Sequence, residues 1–435
     1  MKKLFVILVV VLFMAPLTLM ARGGNKKAPK APPEEKTIVY WSMWTEGESS
    51  AEVIRGWIEQ YKEIHPEVTI EVSFKGRELM SAVSAALSAG EKIDIVEDEE
   101  FHIKPLLGKA DRLFVLDDAM SDPRYEGDKS WRENFLGGGV VDKSNVVYVP
   151  YSIFTSGFTY NKTLWNKNGW KPFTTWDEFL KLCATIQKTT DFAPLALDGM
   201  VDRYCFWWFR EIIARMEGNI DPIVKAVEDK TGESWVKNPN FKKAMEMERE
   251  LFKKNYFIDG VFEFVWPQGQ ETMAAGESAM LFCGSWIAFE MANKVDSDWE
   301  WGFFAFPTVP GGEGVTTDLV NLSIGWSILN DSDVIDDCIE FLKFITSVEN
   351  AQTYVNATNL SPTVREAVPP PDLADVQKVL NSATSVYAWD VIPFYGDYHS
   401  GILLKNHLDA FRGLITPDEF VQKMKEDTIN YWENK

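Results

Sequence analysis

Cysteine and histidine are scarce in this chain, four of each in 435 residues, and their placement removes whole classes of chemistry. His65, His102, His399 and His407 form no H-E-x-x-H and no other close ligand pair, and the step from His399 to His407 is too wide for one helical face, so no metal site is expected. Cys183, Cys205, Cys283 and Cys338 stand far apart among apolar neighbours without a C-x-x-C pair. Buried free thiols are the expectation, with Cys183 and Cys205 as the pair an oxidising compartment would permit. A G-x-S-x-G elbow and a G-x-x-x-x-G-K-[ST] loop are both missing, which leaves acyl and nucleotide chemistry without a handle, and the GGG at 137–139 reads as a loop. No cofactor is expected. Long blocks of like charge are absent too. The net charge of −21 and pI near 4.7 therefore describe a generally acidic surface, one that repels phosphate backbones and excludes nucleic acid as a partner.

Only one long apolar run occurs, residues 4–21. It follows the basic Lys2 and Lys3, contains Pro16, and ends at the small Ala21 before the chain turns polar. This is the pattern of a secretory signal, with cleavage expected after Ala21. Residues 22–35 are a Pro/Lys-rich tether without core-forming side chains.

What remains is long and apolar enough for two domains. From residue 37 the pattern is β-α-β-α-β: strands at 37–43, 68–74 and 93–97, and helices at 49–64 and 78–89. Val53, Ile54, Trp57, Ile58, Tyr61 and Ile64 fall on one helical face. Such a start builds an open parallel sheet whose ligands gather beyond the carboxyl ends of the strands, at 44–46 and 97–99. Residues 147–151 alternate as a half-buried strand that Pro150 limits. Asn161 caps a short helix that Gly169 ends, and Thr175 with Glu178 has capping-box spacing. Helical periodicity then dominates residues 176–188, 205–217, 240–255 and 268–275.

The run VYVPYSIFTSGFTYNKTLWNKNGWKPFTTWDEF at 147–179 resembles a signature of the bacterial extracellular solute-binding proteins of ABC importers, sugar-binding type. These are the family 1 proteins, similar to maltose-binding protein. The ordered succession SAGEKIDIVED, YNKTLWNKNGW, TTWDEF, MAAGESAMLFCGSW, FFAFPTVPGG, FLKFITSVENAQ and LSPTVREAV extends the resemblance over nearly all of the chain beyond the tether. It implies an α/β, two-lobed periplasmic-binding-protein fold, type II-like, with a ligand cleft between lobes joined by three crossovers near 150, 305 and 360. Residues 36–149 and 307–357 form the N-terminal lobe, and 150–306 and 358–435 the C-terminal lobe. The implied function is capture of a sugar, a di- or oligosaccharide, by a monomer that delivers it to a membrane permease by hinge closure. Relatives often carry a lipid on a cysteine at the mature start. This chain has none there, so release into the periplasm is expected. Residues 191–200 give no recognisable binding loop.

Sugars present apolar faces and hydroxyl rims, which aromatic platforms and Asp, Glu or Asn side chains recognise; the chain has 17 tryptophans and 65 acidic residues. The candidate ligand residues follow from that chemistry. Trp44 and Glu46 come after the first strand. Glu97 and Asp98 end the third, as hydroxyl acceptors or as caps of the next helix. Tyr151 sits at the first crossover, and Trp207 is favoured over its neighbour Trp208, since adjacent helical residues diverge by about 100°. Trp286 lies in a family-like GSW motif whose small residues would bring backbone close to ligand. Asn321 and Ser323 begin the last strand of the first lobe, Trp326 is site or core, and Trp389, Asp390 and Tyr395 form an aromatic and acidic cluster or an exposed loop. No catalytic residue stands out. Two other readings remain: a secreted glycoside hydrolase, which needs only two carboxylates at the right separation, and a binder of a non-sugar solute on the same fold.

Overall fold

A computed structural model describes residues 36–108, 110–136, 144–389 and 392–435. The signal segment, the tether, the glycines at 137–139 and Asp390 lie outside these residues. Ten strands are present among them: β1 Lys36–Ser42, β2 Val68–Phe74, β3 Ile95–Glu99, β4 Val149–Phe154, β5 Ser156–Asn161, β6 Ala193–Ala196, β7 Ser278–Gly284, β8 Trp301–Phe304, β9 Asp318–Ile328 and β10 Ser385–Ala388. They make two sheets. The first has the order β10-β9-β3-β1-β2 with β4 also paired to β9, and the second has β6-β7-β5-β8.

β1 runs parallel to β2 and β3, as the β-α-β-α-β reading requires, but β9 is antiparallel to β3. The first sheet is therefore mixed, not purely parallel. Connectivity is the cause: Glu99 at the carboxyl end of β3 faces Ile324, while Ile95 faces Ile328, so β9 enters from the mouth of the sheet and runs back down it. The helix Ser49–Ile64 covers this sheet through Ala51, Ile54, Trp57 and Tyr61. That face is narrower than expected, since Ile64 is exposed and Val53 and Ile58 are only half-buried.

β4 is buried throughout and is not the half-buried alternating strand of the sequence reading. Val149 faces Trp326, Pro150 faces Gly325 and Ser152 faces Ile324, which leaves Tyr151 as the extra residue of a bulge. The bulge tolerates Pro150 inside a sheet and re-aims the Tyr151 ring. The bulged strand crowds its partner, because a β-carbon on Gly325 would lie 2.2 Å from the Val149 carbonyl oxygen.

Thr155 alone separates β4 from β5 and carries the chain from the first sheet to the second. Its amide is 3.2 Å from Ser285 Oγ and its carbonyl accepts from the Ser285 amide at 2.8 Å. Beyond it, Asn161 caps the helix Lys162–Asn168, Gly169 ends it at φ 70°, and Thr175 and Glu178 close a full capping box on Trp176–Thr189. The second sheet has an aromatic core in which Phe158 contacts Phe173, Phe179, Trp208, Phe282, Phe304 and Phe306. All four cysteines are buried free thiols. Among the described residues no helix is long and apolar enough to cross a membrane.

Candidate functional site

A cavity of about 640 Å³ opens where the strand ends of the first sheet meet elements of the second. One wall comes from Met43 and Trp44 after β1, Arg77 after β2, Glu99 at the end of β3, and Leu322 and Ile324 of β9. Phe154, at the end of β4, adds to this wall, and the other comes from Tyr204, Trp286, Phe289 and Glu290.

Trp44 is held from behind. Its Nε1 donates to Glu97 Oε1 at 2.7 Å and lies 2.8 Å from the Tyr151 hydroxyl, which itself donates to Glu97 Oε1 at 2.5 Å. Tyr40 donates to Glu97 Oε2 and accepts from Trp326 Nε1 at 2.8 Å. Glu97 is fully buried, and burial raises its carboxyl above the usual range despite the hydrogen bonds from Tyr151, Tyr40, Ser42 and Trp44. The sequence reading put Glu97 and Tyr151 on the ligand. The geometry makes them positioning groups whose polar capacity is spent on orienting the Trp44 indole. Trp326, in contact with Trp57 and Tyr151, belongs to the core.

Arg77 lies 4.7 Å over the Trp44 ring, donates to the Met43 carbonyl at 2.7 Å, and meets Glu48 through both guanidinium nitrogens at 3.2 and 2.9 Å. Glu46 points elsewhere: its side chain is 67% exposed and pairs with Arg55. Glu48 and Arg77 thus hold the place expected of Glu46. Asp98 is buried, with Oδ1 accepting from the Glu99 amide at 2.7 Å and lying 3.0 Å from His102 Nδ1. It is Glu99, one residue on, that faces the cavity; burial raises its carboxyl to about 7, and the nearby His102 partly offsets this. Asp98, Glu99 and His102 bring three donor atoms within 4.8 Å of one another, but two of them are already bonded together. In β9, Leu322 and Ile324 face the cavity. The alternating Asn321 and Ser323 instead reach Glu100 Oε2 at 3.3 Å each, and strand periodicity keeps them out of the site.

On the opposite wall Trp286 lies in an aromatic corner, edge-on to Phe154 at 5.8 Å and to Trp207 at 5.8 Å, and 5.7 Å from Trp389. The small residue of its motif serves the ring, since a β-carbon on Gly284 would lie 2.3 Å from the Trp286 indole. Trp207 and Trp389 are buried behind it, and Arg210 lies 4.9 Å over Trp389 while donating to the Trp389 carbonyl at 2.7 Å. Trp208 is core, as the divergence of adjacent helical residues implies. Tyr395 is remote from this corner in its contacts: its hydroxyl donates to Glu228 at 2.8 Å and its ring meets Trp432 at 5.9 Å. Burial raises Glu290 and takes Asp198 to about 6, while Gln270 stands beside both carboxyls.

Sequence reasoning marked 97–99 as a place for ligand but named Glu97 and Asp98 and not Glu99, and it missed Arg77 and Glu290, although both left a signal. Arg77 follows β2 at the same mouth that was searched after β1 and β3, and Glu290 is four residues beyond Trp286.

Comparison with known proteins gives one consistent likeness. The family model described as bacterial extracellular solute-binding protein matches residues 47–352, more than half of the chain. The chain is 24% identical over 324 residues to the diacetylchitobiose binding protein NgcE of Streptomyces coelicolor, covering 71% of this chain and 67% of that one. It is 27% identical over 217 residues to a multiple sugar-binding protein of Streptococcus mutans, covering 48% of this chain and 49% of the relative. The apo form of RafE from Streptococcus pneumoniae superposes with a TM-score of 0.75 at 15% identity, over 92% of this chain and 99% of that one, which establishes likeness of fold.

Proposed function

The chain belongs to the bacterial extracellular solute-binding protein family, whose members bind and do not catalyse, and we propose that it captures an oligosaccharide in the cleft between its two sheets. The carrying observation is the composition of that cleft: Trp44, Phe154, Tyr204 and Trp286 offer apolar ring faces, and Glu48, Glu99 and Glu290 ring them with acceptors. Flat aromatic faces match the C–H faces of pyranose rings, and carboxylates match their hydroxyl rims. The names of the relatives, for diacetylchitobiose and for multiple sugars, support the same ligand class.

In this reading the two sheets head two lobes with crossovers near 150, 305 and 360. A sugar touching Trp44 on one side and Trp286 on the other shifts the population toward a closed form that an ABC permease receives. Periplasmic binding proteins close about a hinge around their ligand, and the same motion would join the two walls here. Residues 1–21 direct export, and the protein works as a periplasmic monomer. The test is a thermal-shift screen over a sugar panel, since ligand at 100 times its Kd adds about 2.7 kcal/mol to a one-site binder. Product analysis of the same mixtures must recover the sugar unchanged. A panel without any shift overturns the proposal.

A further inference from the structure

The second wall of the cleft carries negative charge that the protein does not balance. Glu290 lines the cavity and accepts from neutral partners, Trp266 Nε1 at 3.3 Å and the nearby Gln270 side chain. Asp198 lies close enough for the charge of Glu290 to raise its carboxyl beyond what burial does; it is fully buried, with Oδ1 accepting from the Gly269 amide at 2.6 Å. Gln270, also fully buried, lies beside both carboxyls and lowers each of them, but its amide is neutral and brings no counter-charge. Among the described residues, no Lys, Arg or His nitrogen comes within 4.0 Å of Asp198 or Glu290. Arg412 is turned to the Gly199 carbonyl at 3.5 Å and over the Phe262 ring. Two desolvated carboxyls without a cation are costly, and the cost falls on the apo protein.

The first wall differs. Its Glu48 is neutralised by Arg77, and Glu99 has His102 Nδ1 at 3.6 Å. Among the described residues the wall around Glu290 has no such counter-charge, and the cavity surface next to Glu290 is aromatic, with Tyr204, Trp286 and Phe289. Aromatic faces beside a carboxylate are the combination that attracts an organic cation, through ring quadrupole and charge together.

We propose that this wall selects a protonated amine on the bound sugar, so that the ligand class is an amino sugar with a free ammonium. The ammonium sits in front of Glu290, between the aromatic faces, with the charge of Asp198 behind. An ammonium brings three donors and no acceptor, which suits a wall already rich in acceptors. A hydroxyl or acetamido group at the same ring position brings acceptors of its own and no charge. The inference rests on the sugar reading above, and the experiment separates the two.

Three disaccharides of one linkage and ring shape, differing only at the second carbon, form a matched series: di-glucosamine, its N,N′-diacetylated form, and cellobiose. Calorimetric titration of the wild-type protein at about pH 6.5, where an aliphatic amine stays protonated, is expected to give at least tenfold tighter binding of the amine. Glu290→Gln, checked for an intact fold by its melting curve, is expected to weaken binding of all three sugars and to remove the preference, the amine losing at least tenfold more than the neutral pair. Equal or tighter binding of the neutral sugars to the wild type overturns the proposal and leaves the sugar reading standing. Ammonium or calcium ions alone giving the same stabilisation as the amino sugar also overturn it. Absence of binding by every sugar overturns both.

Discussion

Gly284 and Trp286 are fitted to each other so closely that a β-carbon at residue 284 would lie 2.3 Å from the indole ring. Gly284 ends β7 without a left-handed backbone, so its role is space, not φ. Gly284→Ala should therefore fold but push the Trp286 ring out of place. Overpacking of this kind costs about 1–3 kcal/mol, and here it should appear in sugar affinity more than in the melting temperature. Trp286→Ala removes the face itself and should weaken binding by roughly 1–3 kcal/mol. Unchanged titration curves for both variants would remove Trp286 from the site.

Glu99 gives stability a pH dependence of definite sign. Its folded carboxyl is raised to about 7 from an ordinary 4.5 by burial, with Asp98 adding to the effect and His102 opposing it. Between those values the native protein keeps a proton that the unfolded chain has released. Folded stability contributed by this group is therefore present at low pH and lost as pH rises through the window. Urea midpoints should fall between about pH 5 and about pH 8 more steeply in the wild type than in Glu99→Gln, whose amide does not titrate. Parallel slopes would show that Glu99 is not the group responsible.

The parts of the structure that could be read in the sequence are those where a few adjacent residues decide the outcome. Asn161 with Gly169, and Thr175 with Glu178, set helix ends through bonds within one turn, and each formed as its spacing demanded. The helix Ser49–Ile64 was legible because its apolar residues recur at three and four. Site roles were harder, because they depend on partners far along the chain. Nothing near Glu97 indicates that Tyr40, Tyr151 and Trp44 converge on it, nor that Arg55 draws Glu46 outward. The bulge that turns Tyr151 toward Glu97 arises from pairing with β9, more than 160 residues later in the chain. Asn321 and Ser323 lie on the expected strand but on the face opposite Leu322 and Ile324, which line the cavity, a one-residue difference that only the register of β9 resolves.

A buried charge network lies behind the aromatic corner and gives a third expectation. Glu211 faces Arg210 at 3.0 Å and Arg215 at 3.6 Å, and it accepts from Ser156 and Tyr387 at 2.8 Å each. Arg210 in turn holds the Trp389 carbonyl, and Arg215 holds those of Phe306 and Asp318. Glu211→Gln leaves two buried guanidinium groups without their carboxylate, which should cost about 3–5 kcal/mol. Tyr387→Phe removes one hydrogen bond to a charged group and should cost about 1.5–3 kcal/mol. Denaturant unfolding measures both. A Glu211→Gln loss below that of Tyr387→Phe would show that the network does not depend on its charge.

The remaining expectation concerns motion. Trp44 is fixed on the first sheet through Glu97, and Trp286 on the second through Gly284 and Trp207, so a ligand touching both rings ties its binding energy to the distance between the walls. Only contacts that differ between open and closed forms shift that population. Sugar at saturating concentration should therefore reduce the radius of gyration in solution scattering, and the recovered sugar should be intact. Trp44→Ala should lose compaction together with affinity, because it deletes one side of the bridge and leaves the other. Tight binding without compaction, in the wild type, would mean that the ligand rests on one wall alone and that delivery to a permease does not rely on closure.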